Sequence, residues 1–157
     1  QRINSITKEK FLETFKKVNE KFKEVFVRLF SGGNAELILT DPQNILESGV
    51  EAIVQPPGKR LQNMNLLSGG EKALAAISLV FSFFLTKPSP FCILDEVDAP
   101  LDEANLEKFI SFIKELSRNI QFILVTHNRR TMEISDCLYG ITMEKPGISR
   151  LVSVKLN

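Results

Sequence analysis

At 157 residues and 43% hydrophobic content, the chain is long enough for one domain with a real core. Twenty basic against nineteen acidic residues leave a formal net charge of +1. No global charge therefore advertises nucleic-acid or membrane-surface binding, and any DNA contact must be local or lie outside this chain. The two cysteines, Cys92 and Cys137, are far apart, lack metal-type spacing and sit in apolar runs, which argues against a disulfide scaffold and predicts reduced core thiols.

The chain begins with Gln1 and enters a helical pattern at once, as a fragment of a longer polypeptide would; its charged start lacks the apolar core of a secretory signal. Apolar residues at Phe11, Phe15, Val18, Phe22, Val25 and Leu29 form a heptad seam, with a mixed-charge face between them. The seam fits either an amphipathic helix packed on its own domain or the foot of a coiled coil. Phe26 and Phe30 widen the stripe, as expected where a coiled coil docks on a globular head. Ser31-Gly32-Gly33-Asn34 ends this helix with residues tolerant of positive φ. It is not a phosphate loop, since no Gly-Lys-Ser/Thr follows and Ala35–Thr40 reads as a strand. After the Asp41-Pro42 turn, Val50–Val54 makes a second strand and an antiparallel piece is expected.

Gln55–Arg60 reads as a polar, proline-rich loop. Gly58-Lys59 imitates the end of a Walker A motif, but Ile53 stands where the motif needs glycine and Arg60 where it needs Ser or Thr. Lys59 and Arg60 fit a solvated loop, with nucleotide contact left open by their place before the next helix. That helix starts at Ser68, where Ser68 and Glu71 form a capping box in which the serine hydroxyl accepts from a first-turn amide and Glu71 reaches back. Gly69 and Gly70 remove side chains there, so an anion can approach bare N–H groups at the positive end of the helix dipole. From Ala73 to Phe84 the helix is apolar nearly all round, and burial on every side is expected before it stops ahead of Pro88. Its apolar stretch, Ala73–Leu85, falls short of the roughly 20 residues of a membrane span, so no membrane partner is expected.

Phe91–Leu94 is a short continuous apolar run that predicts a central parallel strand covered on both faces. Asp95 and Glu96 stand at its carboxyl end, where ligand crevices of open α/β sheets lie. Asp98–Asp102 is a polar loop, and Asp102 is placed to cap a helix whose apolar face is Leu106, Phe109, Ile110, Ile113 and Leu116. Gln121–Val125 is a second buried strand ending in Thr126-His127-Asn128. If the two strands are parallel neighbours, Asp95, Glu96 and His127 converge on one edge of the sheet. A short helix near Arg130–Ile134 precedes a hairpin of Cys137–Met143 and Ile148–Leu156, closed by Lys145-Pro146-Gly147 as a type II turn.

Leu67-Ser68-Gly69-Gly70-Glu71, Ile93-Leu94-Asp95-Glu96, Ala99-Pro100-Leu101-Asp102 and Thr126-His127 resemble, in that order, the signature motif, Walker B, D-loop and H-loop of an ABC-type ATPase. The longer strings around Pro56–Leu74 and Leu94–Asp102 resemble the C-terminal head lobe of a bacterial-type structural maintenance of chromosomes (SMC) protein, over almost the whole chain. The resemblance implies an α/β fold with a mostly parallel central sheet flanked by helices and small antiparallel pieces. It implies an arm end at residues 1–30 and a head lobe at 31–157.

It further implies that Asp95 holds Mg²⁺ and Glu96 is the general base. By the same resemblance His127 would hydrogen-bond the γ-phosphate or the attacking water and sense the transferred group, and Ser68, Gly69, Gly70, Glu71 and Asp102 would meet ATP and the dimer interface. Walker A and the Q-loop are absent from this chain and lie, in the family, at the far N-terminal end of the polypeptide. The expected partners are that N-terminal lobe, a second SMC head, a kleisin subunit and, through the complete complex, DNA. The expected setting is the cytoplasm, at the nucleoid, in chromosome condensation and segregation. Two other readings remain at this stage, an SMC-like DNA-repair ATPase and a non-catalytic kleisin-binding scaffold in which the cap, the acid pair and the histidine are purely structural.

Overall fold

Helix α1 runs from Arg2 to Phe30 in a computed structural model that describes residues 2–156. Its two halves differ. The seam residues Val18, Phe22, Val25 and Leu29, with the flanking Phe26 and Phe30, are buried in the core, whereas Phe11 and Phe15 are only half covered. The buried half is held partly by aromatic pairing: Phe26 stacks on Phe30 at 4.1 Å between ring centroids, and Phe22 meets Phe26 edge-on at 6.1 Å. The helix ends as its sequence dictates, with Ser31, Gly32 and Gly33 all at positive φ. Gly33 is required by close approach as well, because a Cβ there would stand 2.2 Å from the Gln55 carbonyl oxygen.

Strands β1 (Asn34–Leu39) and β2 (Val50–Gln55) form the expected antiparallel pair, with Asn34 opposite Gln55 and Leu39 opposite Val50. The predicted loop that follows contains a two-residue strand, β3 (Gln62–Asn63), completing a sheet of order β1-β2-β3, and a 3₁₀ turn at Met64–Leu66. Asn19 on α1 covers the free edge of β1 as a strand would: its Oδ1 accepts from Leu37 N at 2.8 Å and its Nδ2 donates to Leu37 O at 3.2 Å. An edge so covered offers no template for a further strand there.

Helix α2 (Gly69–Thr86) is not surrounded on every side. Leu74, Ala75, Ile77 and Phe81 are buried against α1 and α3 (Glu103–Leu116), but Val80 and Phe83 are exposed. By length and composition alone it is apolar enough to cross a bilayer, yet its buried face packs as a core helix does. Ser78 and Ser82 within that face donate back to Leu74 O and Leu79 O at 2.9 and 2.6 Å, which satisfies both hydroxyls inside the helix.

The expected mostly parallel sheet is not what these residues form. The one parallel ladder among the described residues joins β4 (Phe91–Asp95) to β5 (Gln121–Val125), through α3 as the crossover. The other ladders are antiparallel, including the hairpin of β6 (Cys137–Lys145) and β7 (Ile148–Lys155). Nor is the parallel pair covered on both faces: Leu94, Cys92, Phe122 and Leu124 turn toward the core, while Phe91, Ile93, Ile123 and Val125 are exposed. A continuous apolar run supplies two apolar faces, and in this chain only one finds a cover. Cys137 is likewise exposed rather than in the core, on a hairpin open on both sides, and Cys92 is half-buried. The hairpin turn matches expectation, with Gly147 at φ +79° as a type II turn requires.

Candidate functional site

The start of α2 is built around Glu71. Its Oε2 accepts from the Ser68 amide at 3.2 Å, the Ser68 hydroxyl at 2.8 Å and the Lys59 ammonium at 2.8 Å. The capping box forms, but the serine hydroxyl is engaged as a donor to Glu71. The Lys59 hydrogen bond, the largest cause, and those from Ser68 hold the Glu71 carboxyl below the ordinary glutamate value, against a smaller opposing effect of burial. Lys59 is thus a structural neighbour of the helix start, twelve positions away in the chain.

Beside it, Gly69 is open, with no atom within 4 Å of the place where a Cβ would be. Gly70 faces inward. A Cβ there would lie 3.4 Å from Asp102 Oδ2, 3.5 Å from Asn105 Nδ2 and 3.6 Å from Pro100 O. The helix start therefore packs on the loop 98–102. Asp102 caps α3 as expected, accepting from Asn105 N at 2.8 Å and Asn105 Nδ2 at 3.1 Å.

A second group stands at the carboxyl ends of β4 and β5. The parallel register sets Asp95 opposite Val125, and Glu96 N donates to Val125 O at 2.8 Å. Glu96 adopts φ +49°, a left-handed conformation that a non-glycine residue holds only where its surroundings over-determine it. From there its Oε1 lies 3.8 Å from His127 Nδ1, and both side chains are largely exposed. Asp95 is exposed too. The parallel neighbours thus bring Asp95, Glu96 and His127 to one edge. Among the described residues no hydrogen bond or ion pair joins them to the group at the start of α2.

Two features had no signal in the sequence. Asp98, only 3% exposed, accepts at Oδ2 from both Thr126 Oγ1 and Thr131 Oγ1 at 2.6 Å. Arg130, on the short helix α4 (Arg129–Glu133), reaches across to Glu103 and Glu107 on α3. Asp98 ties the loop after β4 to the segment after β5 and Arg130 ties α4 to α3, and such pairings between segments more than twenty residues apart leave no local pattern to read.

Among the described residues no group of three or more His, Cys, Asp or Glu is arranged to hold a metal ion. Asp95 and Glu96 offer one or two exposed carboxylates, a donor set that fits Mg²⁺, which keeps several waters and takes the rest of its oxygens from phosphate. The arrangement suits a site completed by another surface: carboxylates and an imidazole at one sheet edge, and a bare helix N-terminus facing solvent at Gly69.

Comparison with known proteins agrees in kind. Residues 4–150 match the family model described as the RecF/RecN/SMC N terminal domain. The Chromosome partition protein Smc of Myxococcus xanthus (strain DK1622) is 60% identical over 156 residues, 99% of this chain and 13% of that protein. The protein of the same name from Bacillus subtilis (strain 168) is 56% identical over 147 residues, 94% of this chain and 12% of the relative. The chain thus spans about one-eighth of the curated relatives it matches. A solved structure from work on ATP-driven dimerization and DNA-stimulated activation of SMC ATPases superposes with TM-score 0.87 at 39% identity, covering 95% of this chain and 90% of that one. A Pyrococcus furiosus Smc head domain with an extended coiled coil, bound to the C-terminal domain of ScpA, superposes with TM-score 0.84 at 39% identity, covering 99% of this chain and 39% of that one.

Proposed function

This chain belongs to the RecF/RecN/SMC family, and from that premise we propose that it is the C-terminal lobe of an SMC-type ATPase head, completed by a Walker A lobe elsewhere in the same polypeptide. Motif content supports the lobe assignment. Ser68–Glu71, Asp95–Glu96, Ala99–Asp102 and Thr126–His127 occur in order, unaccompanied by a Gly-Lys-Ser/Thr loop. The observation that carries the catalytic reading is the 3.8 Å approach of His127 to Glu96 across the end of the parallel strand pair.

In this reading Glu96 takes the proton of the water that attacks the γ-phosphate of ATP, and His127, beside it, hydrogen-bonds the transferred group or that water. Asp95 would hold Mg²⁺, which would supply neutralisation of the negative charge that develops on the phosphates. Ser68, Gly69 and Gly70 present a hydroxyl and unobstructed amides to the γ-phosphate of a nucleotide carried by the opposite head. Glu71 keeps that helix start in shape, and Asp102 lies where the two heads meet. ATP thereby joins two heads, and this chain alone neither binds ATP tightly nor hydrolyses it.

Residues 1–30 are the foot of the coiled-coil arm and residues 31–157 the head lobe, with α1 entering the lobe core from Val18 onward. The partners are the Walker A lobe, a second copy of the head, a kleisin docked near the exposed β6–β7 hairpin, and DNA through the complete complex. The activity serves chromosome condensation and segregation in the cytoplasm, at the nucleoid. The test is reconstitution with the matching Walker A lobe and measurement of ATP hydrolysis. Glu96→Gln is expected to remove turnover and preserve ATP-dependent head association, and Ser68→Arg to remove both. Wild-type turnover in both variants would overturn the catalytic and signature assignments.

A further inference from the structure

Asp98 is a charged side chain buried where no step of the reaction described above uses it. Burial of a carboxylate is costly unless its oxygens are hydrogen-bonded, and this one is held by two hydroxyls on the far side of the site. Thr126, immediately before His127, donates to Asp98 Oδ2, and Thr126 Oγ1 in turn accepts from Asn128 N at 2.9 Å, immediately after His127. The backbone of His127 is thereby bracketed between two bonds to one hydroxyl, and that hydroxyl is fastened to Asp98. Thr131, 2% exposed on α4, donates to the same oxygen, so the helix that follows His127 is fastened as well.

On its own strand-end loop Asp98 lies two residues after Glu96. Ala99 N donates to Glu96 O at 3.2 Å and Leu101 N to Asp98 O at 3.0 Å, which closes consecutive turns around it. Glu96 sits in its left-handed conformation at the head of those turns. The two loops that carry the acid and the imidazole thus share one buried tie, with Glu96 and His127 at its exposed end.

We propose that Asp98, through Thr126 and Thr131, is a positioning residue that sets the separation and orientation of Glu96 and His127, and so the turnover of the ATPase, without touching nucleotide. The inference rests on the ATPase reading above. A dislocation of about 1 Å in a catalytic pair can cost up to a hundredfold in rate. A tie of this kind acts on the chemical step more than on substrate capture.

The experiment uses the full-length protein containing this chain, with ATP hydrolysis followed per nucleotide-binding head and the folded state checked by thermal melting. Asp98→Ala is expected to lower kcat at least about tenfold, with KM for ATP changed by less than about twofold. Asp98→Asn keeps a carbonyl oxygen for both threonine hydroxyls and is expected to recover most of that loss. In a Glu96→Gln background, Asp98→Ala is expected to subtract nothing further, since the group being positioned is gone. If Glu96→Gln abolishes turnover but Asp98→Ala hydrolyses at the wild-type rate per head, the positioning role is overturned and the ATPase reading stands. It is also overturned if Asp98→Ala lowers only the fraction of heads that bind nucleotide, or if Asp98→Asn is as damaged as Asp98→Ala. If Glu96→Gln leaves turnover intact, the ATPase reading falls and takes this role with it.

Discussion

The Glu96 backbone sets two demands against each other. At φ +49° an L-residue gives up about 1–2 kcal/mol relative to an ordinary conformation, yet that conformation carries the carboxylate past the strand end toward His127. Glu96→Gly is therefore expected to leave the folding free energy unchanged or raise it by up to about 1 kcal/mol, the relief of strain being partly offset by the freer unfolded chain, while hydrolysis by the complete head is lost. Urea melts beside the turnover assay check this, and a clear loss of stability would show that no strain is stored there. Glu71 gives a pH dependence of known sign. Its carboxyl titrates below the ordinary glutamate value of 4.5, chiefly because Lys59 bonds it. Its contribution is therefore full above that pH and is lost as pH falls through the lowered value. Lys59→Ala removes the main cause, so its stability deficit at neutral pH, small for so exposed a pair, should close as urea melts are taken from above pH 4.5 down through the lowered value. The capping box was legible because Ser68 and Glu71 are three residues apart. The Lys59 contact was not, because the loop between had to fold first. Nor was the further bond that the Ser68 hydroxyl donates to Glu71 within the box.

Helices and long strands follow from periodicity because a period is a local property, and α1, α2, α3, β1, β2, β4 and β5 all fall within a few residues of where the pattern puts them. β3 does not, since two residues have no period. The seam in α1 gave its buried face but not how far the burial extends, which depends on the length of the sheet and helix beneath it. Phe22→Ala, at a fully buried position between α1 and its neighbours, is expected to cost about 3–5 kcal/mol in chemical denaturation, whereas Phe11→Ala, half-covered, should cost far less. The tight passage at Gly33 adds a backbone test. A methyl group there meets the Gln55 carbonyl at 2.2 Å and sits at φ +84°, so Gly33→Ala should destabilise by more than about 2 kcal/mol. A near-neutral melt would mean that the α1–β1 junction yields.

At the scale of the molecule, the chemistry was more legible than the sheet around it. Order and spacing of the short motifs pointed to one edge, and Glu96 and His127 do meet there. The apolar runs carried no information about which face of β4 and β5 is covered by this chain. Phe91, Ile93, Ile123 and Val125 present an apolar surface outward, and under the lobe assignment proposed above the Walker A lobe is the candidate to cover it. The double variant Ile93→Lys, Ile123→Lys is expected to melt within about 0.5 kcal/mol of wild type, as surface changes do, and to lose association with that lobe in a titration; retained binding would assign the surface to another role. The uneven burial of α1 has a mechanical consequence. Residues from Val18 onward are held in the core against α2, and the preceding sixteen residues continue the same helix, about 24 Å long at 1.5 Å per residue. Were that stretch to move as a unit, a tilt of the buried end by about 10° would sweep the far end through about 4 Å, with the helix that begins at Ser68 at the pivot.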